Sequence, residues 1–172
     1  MDKTLLPVER FIDTLSVVGR EAEHLAYSWH RIYEQPISPE WVERLADDPQ
    51  MAERLDAFVA RYGRMQDTMA DKLLPRWLAA LAEGGGTQIE VLNRAERLGI
   101  LESVEHWLEA RKLRNRLVHE YMDDAARFAE DLMLAREYAE MLLDSYNRMI
   151  DFASSRMDIP PDALPAKRQL HP

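Results

Sequence analysis

From Val8 to Tyr33 the apolar residues recur at Val8, Phe11, Ile12, Leu15, Val18, Ala22, Leu25, Ala26, Trp29 and Tyr33. The steps are three and four, the repeat of one helical face. A second stripe runs through Leu55, Phe58, Val59, Tyr62, Met65, Met69, Leu73, Trp77 and Leu81. A third runs through Phe128, Leu132, Ala135, Tyr138, Ala139, Leu142, Tyr146, Met149, Ile150 and Ala153. No segment shows the two-residue alternation of a half-buried strand. Long one-sided stripes must bury their apolar faces against one another. The pattern therefore predicts an all-α fold, an antiparallel helical bundle of about five or six helices, three of them long.

Punctuation sets the helix ends. Thr4 is a candidate N-cap with Pro7 in the tolerated first turn. Ser38-Pro39 and Asp48-Pro49 each read as an N-cap followed by proline at the first helical position. Pro75 lies inside the second stripe and predicts a kink near Lys72–Leu74. Gly84-Gly85-Gly86 reads as a plain turn, since no Gly-Lys-Ser/Thr follows at phosphate-loop spacing. Thr87 with Glu90 forms a capping-box pattern, and Gly99 ends the helix so begun. The next helix is expected from Ser103 to about His119, and the last after Asp123-Asp124. Residues 1–157 then form a single helical domain. Residues 158–172, with Pro160, Pro161 and Pro165, read as a mobile tail that buries little.

Composition narrows the function classes. The 172 residues contain no cysteine, which removes disulfides, thiolate metal sites and a cysteine nucleophile and fits a reducing cytoplasm. No uncharged apolar run reaches the roughly 18 residues of a membrane span, and the charged N-terminus does not read as a signal peptide. His24, His30, His106 and His171 have no partner at ligand spacing, so no metal site is expected. Twenty-two basic against 31 acidic residues leave a net charge of -9, unlike a constitutive nucleic-acid binder with a broad basic footprint.

One stretch departs from that acidic background. Between Arg111 and Arg116 stand four cations, Arg111, Lys112, Arg114 and Arg116, and His119 and Tyr121 follow. A basic run alone is usually a solvated face, and cations also suit a helix C-terminus. The order Arg114-Asn115-Arg116-Leu117-Val118-His119-Glu120-Tyr121 is more specific. It resembles the Arg-x4-His-x-Tyr motif of the HEPN superfamily, in particular the HepT-like toxins of HEPN–MNT toxin–antitoxin modules. The stretches Gly99-Ile100-Leu101 and Arg61-Tyr62-Gly63-Arg64-Met65-Gln66-Asp67 are also similar to that group, and the resemblance covers roughly residues 5–155.

The resemblance implies a HEPN-like domain and a homodimeric, metal-independent endoribonuclease whose two motifs line one cleft. It implies that Arg114 and His119 are catalytic and that Asn115 orients them. Its partner would be a minimal nucleotidyltransferase antitoxin, which uses ATP to adenylylate Tyr121. No resident cofactor is implied. Relatives of this fold also include non-catalytic, nucleotidyltransferase-associated substrate-binding proteins, the alternative reading; a helical dimerisation module without chemistry is a third.

The residue chemistry is compatible with RNA cleavage. Histidine exchanges protons near neutral pH, and arginine stays charged with a planar fork matched to phosphate. Arg111, Lys112 and Arg116 would add RNA-phosphate contacts. Asn115 and His119, four apart, share a helix face. Arg114 and His119, five apart, diverge by roughly 140° on an ideal helix, so one copy makes a poor site. A two-fold axis over that face would join Arg114 of one chain to His119 of the other. AMP on Tyr121 would put a bulky anion where RNA phosphate must sit; the plainer reading of Tyr121 is an aromatic cap packed on the bundle. Arg64, Asp67 and Lys72 read as a solvated face, with pairing of Asp67 to Arg114 or Arg111 as the alternative. Trp29, Trp77 and Trp107 read as core.

Overall fold

The computed structural model describes residues 5–119 and 123–170. Among them every regular element is helical: α1 (Pro7–Ile32), α2 (Pro39–Arg44), α3 (Pro49–Thr68), α4 (Leu74–Ala80), α5 (Gln88–Arg97), α6 (Val104–His119) and α7 (Ala125–Arg156). The ends follow the caps. Side chains of Ser38, Asp48, Thr87, Ser103 and Asp124 each accept the N–H three residues on, at 3.1–3.3 Å. Gly99 takes φ of +83°, and the bonds Gly99 N–H to Glu96 O and Ile100 N–H to Ala95 O close α5 as a Schellman turn. Thr4 lies outside the described residues; at the start of α1 the Leu6 N–H donates to the Glu9 carboxylate at 3.2 Å.

Near the expected kink, Met69–Leu73 form a π turn, and Pro75 sits in the first turn of α4. Proline has no N–H to donate and its ring crowds the carbonyl four residues back. The wider turn just before it absorbs both effects.

Cross-helix hydrogen bonds fix the topology. Arg61 reaches Ser28, Thr68 reaches Glu21 and Arg76 reaches Thr14, so α3–α4 runs antiparallel to α1. Trp29 donates to Arg136 O and Tyr33 to Leu132 O, which sets α7 antiparallel to α1. Tyr62 donates to Ala110 O and Gln66 to Trp107 O, pairing α3 with α6. Arg116 meets Asp131 across α6 and α7. The long elements thus alternate in direction around a four-membered ring, α1, α3–α4, α6, α7. The three stripes from Phe11 onward, with Trp29, Trp77 and Trp107, fill or flank its centre, and Val8 at the start of the first is exposed. Burying each large apolar side chain contributes about 1.5–3 kcal/mol.

Residues 158–170 are mostly exposed, but they are tied to the bundle. Ile159 and Leu170 are buried. Asn147 pairs with the backbone of Arg168 in both directions, at 2.7 and 2.9 Å, and the Tyr146 hydroxyl donates to Ala166 O at 2.8 Å. Arg168 also meets Glu23 of α1 at 3.3 Å. In the fold, a short 3-10 turn at Pro161–Ala163 is followed by carbonyls of Ala166 and Arg168 that meet Tyr146 and Asn147 on α7. No helix among the described residues is long and apolar enough to cross a membrane.

Candidate functional site

The site is assembled where α6 crosses α3. Four residues of α3 point at α6: Tyr62, Gly63, Gln66 and Asp67, one face of a helix by spacing. Tyr62 and Gln66 anchor the backbone. Both are buried, and their donors reach the Ala110 and Trp107 carbonyls at 3.0 and 2.8 Å. Burial pushes the Tyr62 hydroxyl well above its ordinary pKa, so it stays a proton donor in this bond.

Gly63 and Asp67 position Arg114. A Cβ on Gly63 would lie 2.5 Å from Arg114 Nε, so the arginine crosses α3 over the bare glycine backbone. A mid-helix glycine costs roughly 0.5–1 kcal/mol relative to alanine, and this close approach supplies its physical reason. Beyond Gly63 the Arg114 guanidinium meets the Asp67 carboxylate at 3.4 Å. Their side chains are 34% and 42% exposed, so the pair adds at most about 1 kcal/mol to stability. Its consequence is orientation: the charged fork is aimed and still reachable from solvent. Of the two readings of Asp67, the structure favours pairing with Arg114. Arg64 and Lys72 lie on the other side of α3, beside Glu21.

The other cations of the run diverge. Arg111 donates to Gln88 at 2.9 Å, which ties α6 to the start of α5. Lys112 and Asn115 are exposed. Arg116 turns toward α7 and makes a bidentate contact with Asp131 at 3.1 and 3.2 Å. Asp131 is only 11% exposed in its side chain. Leaving such a carboxylate without its partner costs more than breaking a surface pair. Arg114 and Arg116 therefore brace opposite flanks of α6, with Asn115 on the crest between them. The backbone of His119 closes the helix. The side chain of His119 and all of Tyr121 lie outside the described residues, as does His171.

Beside Arg114 is an apolar recess of about 340 Å³, lined by Leu55, Val59, Ala60, Leu117, Val118 and Phe128 among others. Val118 is 54% exposed there. Among the described residues no group of three or more histidine, aspartate or glutamate side chains is arranged to hold a metal ion.

Sequence reasoning missed Asp131 as the partner of Arg116 and did not single out Gly63. The glycine carries a readable signal, since an uninterrupted apolar stripe has no local need for it. Asp131 carries none, because it is one acid among many until α7 folds back on α6. Compared with protein-family models, with curated proteins and with solved structures, the chain matches none of them.

Proposed function

We propose that the protein is a HEPN-type endoribonuclease, the toxin subunit of a cytoplasmic HEPN–MNT module, acting as a homodimer. The observation that carries this reading is the Arg114-Asn115-x3-His119-x-Tyr121 spacing at the end of α6, with Arg114 held half-exposed by Gly63 and Asp67.

In the proposed reaction an RNA 2′-hydroxyl loses its proton and its oxygen attacks the adjacent phosphorus. The bond to the 5′-oxygen breaks, and that oxygen takes up a proton. The products are a 2′,3′-cyclic phosphate and a free 5′-hydroxyl. His119 serves one of the two proton transfers. Arg114 holds the non-bridging oxygens as negative charge builds on phosphorus. Asn115 orients His119. Arg111 and Lys112 face neighbouring phosphates, while Arg116 acts mainly by holding α6 against α7. The apolar recess with exposed Val118 is the surface a second copy would cover, bringing the two motifs to one cleft.

A minimal nucleotidyltransferase is the proposed antitoxin, with AMP transferred from ATP to Tyr121. The alternative, a non-catalytic nucleotidyltransferase-associated binding protein, is favoured by one observation: both Arg114 and Arg116 already face carboxylates.

Expression of the parent alone should arrest growth, and His119→Ala should relieve the arrest. Equal toxicity of the two would reject the ribonuclease. Mass spectrometry after co-expression with the nucleotidyltransferase should find AMP on Tyr121. An unmodified Tyr121 in a neutralised complex would assign inhibition to binding.

A further inference from the structure

A second cationic surface lies on the other side of α3. In the seam between α1 and the α3–α4 rod, two recesses follow one another. The larger, about 500 Å³, is edged by Arg20, Arg64, Lys72 and Arg76 against Asp13 and Glu21. The smaller, about 260 Å³, holds Arg31, Arg54 and Arg61 against Glu53. Seven cations thus face three carboxylates in a chain whose net charge is -9.

The floor of this seam is built. Arg61 and Arg76 each lay Nη1 on a buried hydroxyl of α1, Ser28 at 2.8 Å and Thr14 at 2.7 Å. A guanidinium has five donors, so further N–H groups remain after these bonds. The two anchors are separated by about 21 Å along α1. Between them Arg20, Arg64 and Lys72 are exposed. At the far end stands Tyr27, 58% exposed, with the Arg31 guanidinium 5.6 Å over its ring and Nη1 bonded to its hydroxyl.

We propose that this groove binds the phosphate backbone of a single-stranded nucleic acid, with a base stacked at Tyr27. A row of cations, two of them fixed on hydroxyls of α1, can track a phosphate chain, and an exposed aromatic ring gives a base a face to stack on. An acidic peptide would use the cations but has no need of the ring. The surrounding negative charge confines attraction to the seam. That the strand is RNA rests on the ribonuclease reading above; that it is a phosphate chain does not. Gly63 and Arg64 are adjacent on α3, so the groove and Arg114 are separated by about one helix diameter, some 10 Å. A strand lying in the groove would be within a short step of the α6 motif.

Fluorescence anisotropy tests this with a labelled 2′-O-methyl oligouridylate of about twelve nucleotides, which cannot be cleaved through its 2′-oxygen. The intact protein should bind it, and raising salt should weaken binding. Arg64→Glu/Lys72→Glu should weaken it by about tenfold or more and flatten the salt dependence. Arg44→Glu/Arg148→Glu makes the same change in net charge on α2 and α7 and should leave affinity within about twofold. Tyr27→Ala should weaken binding several-fold. If the Glu pair unfolds the protein, Arg64→Gln/Lys72→Gln serves, with a smaller loss in the same direction.

Unchanged affinity in the groove variants overturns the proposal, as does equal loss in both charge-reversal pairs. So does polyglutamate binding as tightly as the oligonucleotide with no effect of Tyr27→Ala, which would assign the groove to an acidic protein. Cleavage of ordinary RNA with KM unaltered by the groove variant would remove the groove and leave the ribonuclease. Groove-dependent binding without cleavage would do the reverse.

Discussion

On α6, Arg114 and Arg116 each face a carboxylate, Asp67 and Asp131. Across α3, Arg20, Arg64, Lys72 and Arg76 line a recess with Asp13 and Glu21. The first arrangement trades net charge for direction. Each guanidinium is pinned, and one of them, Arg114, stays accessible at a defined place. The second keeps an excess of charge along a seam and pins only its floor, through Thr14 and Ser28. Chemistry at one phosphorus needs a group held within fractions of an ångström. Holding a phosphate chain needs charge spread over length. The two surfaces therefore suit different parts of one task, and they differ in how their charges are held: two guanidiniums of the basic run sit in direct ion pairs, whereas the cations of the seam are spread along it.

The contrast breaks most visibly at Gly63. Gly63→Ala puts a methyl 2.5 Å from Arg114 Nε and should push the fork off Asp67. RNA cleavage should fall by about tenfold to a hundredfold, the order expected for a misplaced catalytic group. Stability should hold or rise, because alanine suits a helix interior better. A large fall in melting temperature with an unchanged rate would show that Gly63 serves packing and not Arg114.

Next in size is Asp131→Asn, which removes the charge facing Arg116 on the α7 flank. Urea denaturation should show a loss of about 1–3 kcal/mol. Affinity for a single strand should change little, because the groove lies across α3. A strand affinity that rises sharply would mean that the α6–α7 flank belongs to the binding surface.

The smallest effect concerns Glu21 in the groove. Burial raises its pKa above the ordinary 4.5, against the lowering pull of Thr68, Arg64 and Lys72. The folded protein then holds this proton more tightly than the unfolded chain. Stability contributed here is present at low pH and is lost as pH rises from about 4.5 through the raised value. Glu21→Gln keeps an acceptor for Thr68 and should flatten that part of the stability profile. At neutral pH it should leave the protein as stable or slightly more so, with modestly tighter strand binding. A steeper acid-range profile in the variant would contradict this assignment.

Much of the fold was legible because its signals are local. Ser38, Asp48, Thr87, Ser103 and Asp124 cap helices through bonds that span three residues, and the apolar stripes declare their buried faces. The spacing from Arg114 to Tyr121 was legible for the same reason. What escaped depends on which helices meet. Arg20 and Arg76 belong to one groove only because α4 lies back along α1. Asp67 looked like one more solvated acid until α3 crossed α6. The contacts of the C-terminal stretch were not legible either, since its partners Tyr146 and Asn147 are on a helix that reads as ordinary core and surface.

In the proposed dimer, Arg114 of one chain works with His119 of the other. Arg114→Ala and His119→Ala should each be inactive alone on a labelled RNA. Mixed and allowed to exchange subunits, they should recover about a quarter of the parent's rate, since half the dimers are mixed and each of those holds one intact pair. No recovery, with subunit exchange verified, would contradict the composite cleft.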